Sequence, residues 1–303
     1  MRVTWNGKNE GKRIVALGEF DGVHLGHLQL LEKGIEWGRE QGILLRACTF
    51  DRHPMEVIRP DAAPGLLTTL PEKIRRMERI GVEELHVIRF TRKKANQEPE
   101  DFLRELREEC LLWGVIAGWN YTFGRQGRGN VELLQQDGEK YGYQVMIVPP
   151  VKTQSGITIS STEIRNALEA GKAGLATELM GDPYSLLGIV QGKKAETDQL
   201  LVAVNAGKRK KILPAFGVYA CLAQRDRQMI PAVAHIGQEL TTASGETTVE
   251  MIPLVPSIFP AGERLRLQLV DRLREEKAFS SPEELLKQQI QDCAEARFLF
   301  GMA

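Results

Sequence analysis

Up to about residue 180 the chain alternates short apolar runs with stretches of helical period; beyond that point short apolar runs follow one another directly. This change of period constrains the fold more than any other feature. A repeated strand–helix order forces a parallel sheet with helices on both faces, a doubly wound α/β domain. Many short strands at close spacing make a small antiparallel barrel or sandwich. In the first part RIVALGEF (13–20), ILLRACTF (43–50), ELHVIRF (84–90), LWGVIAG (112–118) and YQVMIVPP (143–150) read as strands. Helices are predicted at HLQLLEKGIEWGREQG, with Leu28, Leu31 and Ile35 at helical spacing and Gly42 as a stop, and at PEKIRRMERIG and PEDFLRELREECLLW. After Gly181-Asp182-Pro183, six runs from LLGIVQG to ERLRLQLVD read as strands. The tail SSPEELLKQQIQDCAEARFLF is a helix, with Ser281 as cap, Pro282 at the first position and Glu284 completing a capping box. Leu286, Ile290, Cys293 and Ala294 then form the face expected to dock on the barrel.

Ligands of open parallel sheets bind beyond the carboxyl ends of the strands, so strand-to-helix junctions carry the most weight. GEFDGVHLGHLQLL, from Gly18 to Leu31, fills the first of them. Gly18, Gly22 and Gly26 free the backbone to turn and to approach a ligand. The helix start offers amide N–H groups and a positive dipole end to an anion. Beside it, His24 and His27 can donate hydrogen bonds to a phosphoryl group whose charge is redistributed in a transition state. Metal ligation and a structural role are the competing readings of the pair. Against a metal, neither a Cys nor a third His lies nearby, and the chain's other histidines are His53, His86 and His235. A second junction, GITISSTEIRNALEAG (156–171), places Ser160, Ser161 and Thr162 ahead of a helix, where they can cap it or cradle phosphate. Arg165 lies one turn in and can grip the same anion bidentately. An ordinary cap with a surface arginine is the alternative, and pairing with the histidine motif weighs against it.

Composition narrows the class. Forty Lys and Arg balance forty Asp and Glu in 303 residues, which argues against nonspecific nucleic-acid binding driven by excess cations. The length fits two domains, and 42% hydrophobic content suffices for their cores. Cys48, Cys110, Cys221 and Cys293 form no CxxC pair and read as buried free thiols. No apolar run approaches a membrane span, and MRVTWNGKNEGKR lacks an apolar signal core. A cytoplasmic protein with no membrane or nucleic-acid partner is expected.

Four segments stand in order: GEFDGVHLGH, TFDRHP (49–54), GWNYTFG (118–124) and ISSTEIR (159–165). Together they resemble the bacterial bifunctional riboflavin kinase/FAD synthetase family. The resemblance implies a Rossmann-like, HxGH-type nucleotidyltransferase domain at 1–183 and a riboflavin-kinase-like barrel with a terminal helix at 184–303. It implies transfer of AMP from Mg–ATP to FMN, giving FAD and pyrophosphate. His24 and His27 would stabilise the α-phosphate, Gly18, Phe20 and Gly22 would line the nucleotide, and Ser161, Thr162 and Arg165 would hold phosphates. Asn120 would contact the reacting groups, Phe123 would stack on the flavin, and His53 would sit near the flavin phosphate. Arg52 stands where the family has proline, and its cation is expected to aid FMN phosphate binding or alter flavin choice.

The barrel keeps the family's frame but not its kinase segment. Where the family reads Gly-Arg-x-Leu-Gly-Phe-Pro-Thr-Ala-Asn, this chain reads from Glu196 to Asn205, and only Asn205 matches. Ala203 replaces the threonine that helps hold Mg–ATP, while Glu196 and Leu200 replace glycines. His235 and Glu239-Leu240-Thr241 also depart from the family, although Glu250, matching the catalytic base, is kept. Kinase activity is expected to be lost. Two other functions compete: a nucleotidyltransferase for a different phosphorylated substrate, and a noncatalytic flavin- or nucleotide-responsive regulator. The chain is expected to act as a monomer or weak homo-oligomer.

Overall fold

The computed structural model describes residues 1–5, 11–194, 199–204, 211–237 and 247–302. Contacts divide the chain into two units, Met1–Ser161 and Thr162–Ala303. In the first unit the elements run β1 (Arg2–Thr4), β2 (Arg13–Leu17), α1 (Leu25–Gln41), β3 (Leu45–Phe50), α2 (Met55–Ile58), α3 (Leu70–Ile80) and β4 (Glu84–Ile88). They continue with α4 (Arg92–Ala95), α5 (Pro99–Glu109), β5 (Leu112–Gly118), α6 (Val131–Tyr141) and β6 (Gln144–Val148). The six strands form one sheet in the order β1-β4-β3-β2-β5-β6, and every neighbouring pair is parallel.

Strand β2 shows why the sheet is buried on both sides. Ile14 and Ala16 face one core with Leu31, Trp37 and Met77, whereas Val15 and Leu17 face another with Phe102, Leu103, Leu106 and Leu134. All four β2 side chains are at most 2% exposed, as period-two alternation between two covered faces requires. Each fully buried Leu or Ile in these layers contributes ~1.5–3 kcal/mol. From β2 the chain steps outward through β3 to β4, then returns to β2's other side as β5. The strand order therefore reverses at β2, and ligands of such sheets bind outside the carboxyl end of the strands at this switch point. Residues 18–24 fill that position.

Helix α7 (Ser161–Glu169) starts at the last residue of the first unit and runs into the second, where α8 (Ala173–Met180) follows. Strands β7 (Ser185–Lys193), β8 (Leu200–Val204), β9 (Gly217–Arg225), β10 (Gln228–Ile236), β11 (Thr247–Pro253) and β12 (Arg264–Glu275) then close an antiparallel barrel in the order β10-β11-β8-β7-β12-β9. The terminal helix is α9 (Pro282–Leu299). Its docking differs from the expectation. Leu286 and Ile290 are 58% and 64% exposed, and Ala294 is exposed. The helix is held instead by buried Asp292, which takes a fork from Arg274 of β12 at 2.9 Å and an amide bond from Gln288 at 3.0 Å. Ala296 and half-buried Cys293 fill the apolar remainder of the contact. Ser281 caps α9 as expected, but Glu284 reaches the N–H and hydroxyl of Ser280, one residue before the cap.

Candidate functional site

The segment after β2 is a strained turn held from behind. Phe20 and Val23 have φ of +54° and +42°, in the left-handed region that non-glycine residues rarely occupy, and Gly22 has φ +84°. The turn persists because its carbonyls are occupied. Glu19 O accepts from Thr49 Oγ1 at 2.7 Å and Lys73 Nζ at 2.5 Å. Asp21 O accepts from Ser161 Oγ at 2.9 Å, and Gly22 O from Arg76 at 2.6 Å. Meanwhile the buried Asp21 carboxylate accepts the N–H groups of Leu67 and Thr68 at 2.9–3.1 Å and the Thr68 hydroxyl at 3.2 Å. The Thr68 oxygen in turn accepts the Gly22 N–H at 2.9 Å.

Two of the glycines serve protein rings. A Cβ at Gly18 would lie 2.8 Å from Phe20 Cζ, and one at Gly26 would lie 3.2 Å from the His24 ring. At both positions the missing Cβ leaves room for a ring of the turn itself. Phe20 is fully buried, its ring edge-on to His27 with centroids 5.1 Å apart. It supports the turn from beneath.

His24 is the cap of α1: its Nδ1 accepts the His27 N–H at 3.3 Å, which leaves the ring proton on Nε2. The two imidazoles stack with centroids 3.7 Å apart and planes 16° from parallel. Burial pushes the His24 pKa down to about 4 against a smaller opposing pull from Asp21. Burial also holds His27 well below its ordinary value, helped by the fields of His24 and Lys73. The site thus carries a neutral histidine pair. His27 Nδ1 is buried with no partner among the described residues.

Other expected residues have definite places. His53 donates from Nε2 to the Glu19 carboxylate at 3.1 Å while its Nδ1 accepts the Met55 N–H at 3.1 Å, so it is tied to the same turn. Arg52 forms a bidentate pair with buried Asp51, with bonds of 3.0–3.3 Å. Asp51 also anchors the Phe90 N–H at 2.9 Å. Nε and one terminal nitrogen of Arg52 are thus engaged by Asp51. Asn120 is exposed on the turn after β5. Phe123 is only 6% exposed and packs on Phe102 and Tyr121, at 5.2 and 5.8 Å. The ring with an open face on this turn is Trp119, 50% exposed. Ser161 donates its hydroxyl proton to Asp21, and Thr162 and Arg165 follow it on α7, in the second unit. Sequence reading missed Asp21, Thr68, Lys73, Arg76 and Trp119. The first four act across 46–54 residues, which no local spacing reveals; the aromatic flanked by Gly118 and Asn120 was the one available signal.

In the barrel, Ala203 lies on β8 and Glu250 on β11. One Glu250 oxygen takes Lys194 Nζ at 2.5 Å and the other stands 3.6 Å from His235 Nδ1, whose Nε2 is 3.5 Å from Glu276. The His235 bond, then the Lys194 bond and charge, hold Glu250 down to about 2 against the cost of burial. Glu196, Asn205 and Glu239-Leu240-Thr241 lie outside the described residues. Among the described residues no cluster of metal-ligating side chains occurs, and no helix is long and apolar enough to cross a membrane.

Comparison with known proteins matches both parts. Residues 7–163 fit the family model for FAD synthetase and residues 180–300 that for riboflavin kinase. The bifunctional riboflavin kinase/FMN adenylyltransferase of Escherichia coli (strain K12) is 31% identical over 292 residues, covering 95% of this chain and 93% of that protein. Its counterpart in Bacillus subtilis (strain 168) is 31% identical over 297 residues with the same coverage. A solved structure from Streptococcus pneumoniae, described as a macrolide-efflux protein, matches with TM-score 0.83 at 27% identity, covering 98% of this chain and 99% of that one.

Proposed function

The chain belongs to the bifunctional riboflavin kinase/FMN adenylyltransferase family and is an FMN adenylyltransferase, and on that premise we propose that AMP passes from Mg–ATP to FMN at the turn after β2. The observation that carries this placement is the stacked neutral pair of His24 and His27 at the start of α1, where the strand order reverses. The FMN phosphate attacks the α-phosphorus in line, pyrophosphate leaves, and no covalent intermediate with the protein forms. Neutral imidazoles donate N–H to the crowded α-phosphate without repelling the magnesium that accompanies ATP. Catalysis then rests on alignment and on donors fixed in advance. Gly18, Phe20 and Gly22 shape the nucleotide's bed, while Ser161 serves its phosphates. Asn120 contacts the reacting groups, and His53 orders the flavin side through Glu19. Phe123 supports the flavin turn from within, and Trp119 gives the isoalloxazine a ring to stack on.

His24→Ala and His27→Ala test this. Each should lower kcat by ~10²–10³ while FMN binding changes little, because each donor acts on transition-state charge. Wild-type kcat in both variants would remove the site from this turn.

We further propose that the second domain, 184–303, no longer phosphorylates riboflavin. Glu250 is supported as an ineffective base by its bonds to His235 and Lys194, since a carboxyl at about 2 has little pull on a substrate proton. Ala203 has no oxygen for magnesium. The first domain, 1–183, is then the working half of a cytoplasmic monomer or weak homo-oligomer whose partners are ATP and FMN.

A further inference from the structure

Lys73 sits on α3, 54 residues from the turn it touches, with the residue 6% exposed. Its ammonium donates to Glu19 O at 2.5 Å and to Thr49 Oγ1 at 3.0 Å, and the Thr49 hydroxyl donates to the same carbonyl. One helical turn later, Arg76 donates to Gly22 O. Residues i and i+3 of one helix face thereby clamp both ends of the turn that carries two strained residues, Phe20 and Val23. No carboxylate among the described residues forms an ion pair with Lys73, and burial lowers its pKa against the smaller opposing pull of Asp21 and Glu19. Burying an ammonium on two neutral acceptors is costly, and a neutral donor of the same reach would clamp the carbonyl more cheaply. The retained charge therefore has work beyond the clamp. Its field already reaches His27.

We propose that Lys73 is a positioning residue for adenylyl transfer: it fixes the 18–24 turn through Glu19 and sets a positive charge beneath the phosphate end of the site. It acts through the turn and through His27, without touching substrate. The inference rests on the placement of the reaction at His24 and His27.

The test measures steady-state FAD synthesis by the full chain and by Lys73→Met, Lys73→Arg and His24→Ala, with kcat, both KM values, the pH profile and Tm. Lys73→Met should lose about 10²-fold in kcat, the scale of a misaligned reacting group, with the FMN KM within about twofold of wild type. The groups facing His27 are His24 and Lys73, so removing the lysine charge raises the His27 pKa, and the acid limb of the profile moves to higher pH. Lys73→Arg keeps the charge with a different reach. It should recover part of kcat and leave the acid limb where it was. A folded Lys73→Met with wild-type kcat would overturn the proposal, as would a loss that Lys73→Arg does not relieve, with an unshifted profile. If Lys73→Met fails to fold, Lys73→Arg alone decides: lowered kcat with an unmoved acid limb supports the proposal, and wild-type kcat overturns it. An active His24→Ala would instead sink the site placement on which it rests.

Discussion

The two nitrogens of His24 have separate tasks. Nδ1 holds the start of α1 by accepting the His27 N–H, and Nε2 is left with the ring proton that the proposed reaction would use. Both tasks need the neutral ring, which burial maintains down to about pH 4. The ordinary histidine value is 6.5, so between those pH values the unfolded chain binds a proton that the folded chain refuses. Stability should therefore fall as pH drops from about 6.5 to about 4 and lose this dependence below. Tm measured across that window should fall more steeply for wild type than for His24→Asn, which keeps a capping acceptor but cannot titrate. Parallel slopes would show that His24 is not held neutral. At the flavin side, Trp119→Ala should raise the FMN KM about tenfold, the scale of lost aromatic stacking, and spare kcat. An unchanged KM would return the stacking role to another ring.

Among the elements, the joint between the turn after β2 and the segment leading into α3 holds the site together. Asp21→Ala would strand the buried N–H groups of Leu67 and Thr68. At ~1–3 kcal/mol for each unsatisfied group, the variant should lose about 2–6 kcal/mol, read from urea unfolding followed by tryptophan fluorescence. A midpoint equal to wild type would mean that the carboxylate contributes nothing to the joint. Elements with a repeating local signal were legible in advance. LWGVIAG is β5 residue for residue, and all six barrel strands fall where short apolar runs stand. Other elements were not: β1 has only three residues and α8 eight, and α6 went unread although it has eleven. The histidine pair was legible because cap, glycines and helix start are neighbours in sequence. Its support was not, because Lys73 looks like any charged helix residue until its helix is packed against the turn. The docking of α9 misled for a related reason. Its apolar residues suggested a buried face, but a single carboxylate, Asp292, matched to Arg274 outweighs a periodicity that the fold leaves exposed.

On the scale of the whole chain, the two domains of one family frame have different standing in the proposed function. The turn after β2 keeps its histidines, their cap and a second layer of bonds. In the barrel, the carboxylate that matches the kinase base is occupied by Lys194 and His235. If the proposed loss of phosphorylation holds, freeing that carboxylate should not restore it, since Ala203 still offers magnesium no oxygen and losses within one shared site do not add independently. The double variant His235→Asn, Ala203→Thr should thus remain inactive toward riboflavin; FMN formation by it would trace the loss to those two positions. The most direct measurement gives the purified chain Mg–ATP with either riboflavin or FMN and separates the flavins by chromatography. FAD and pyrophosphate should form from FMN, and riboflavin should be recovered unchanged. FMN or FAD arising from riboflavin, or no FAD from FMN, would contradict the division of labour between the two domains.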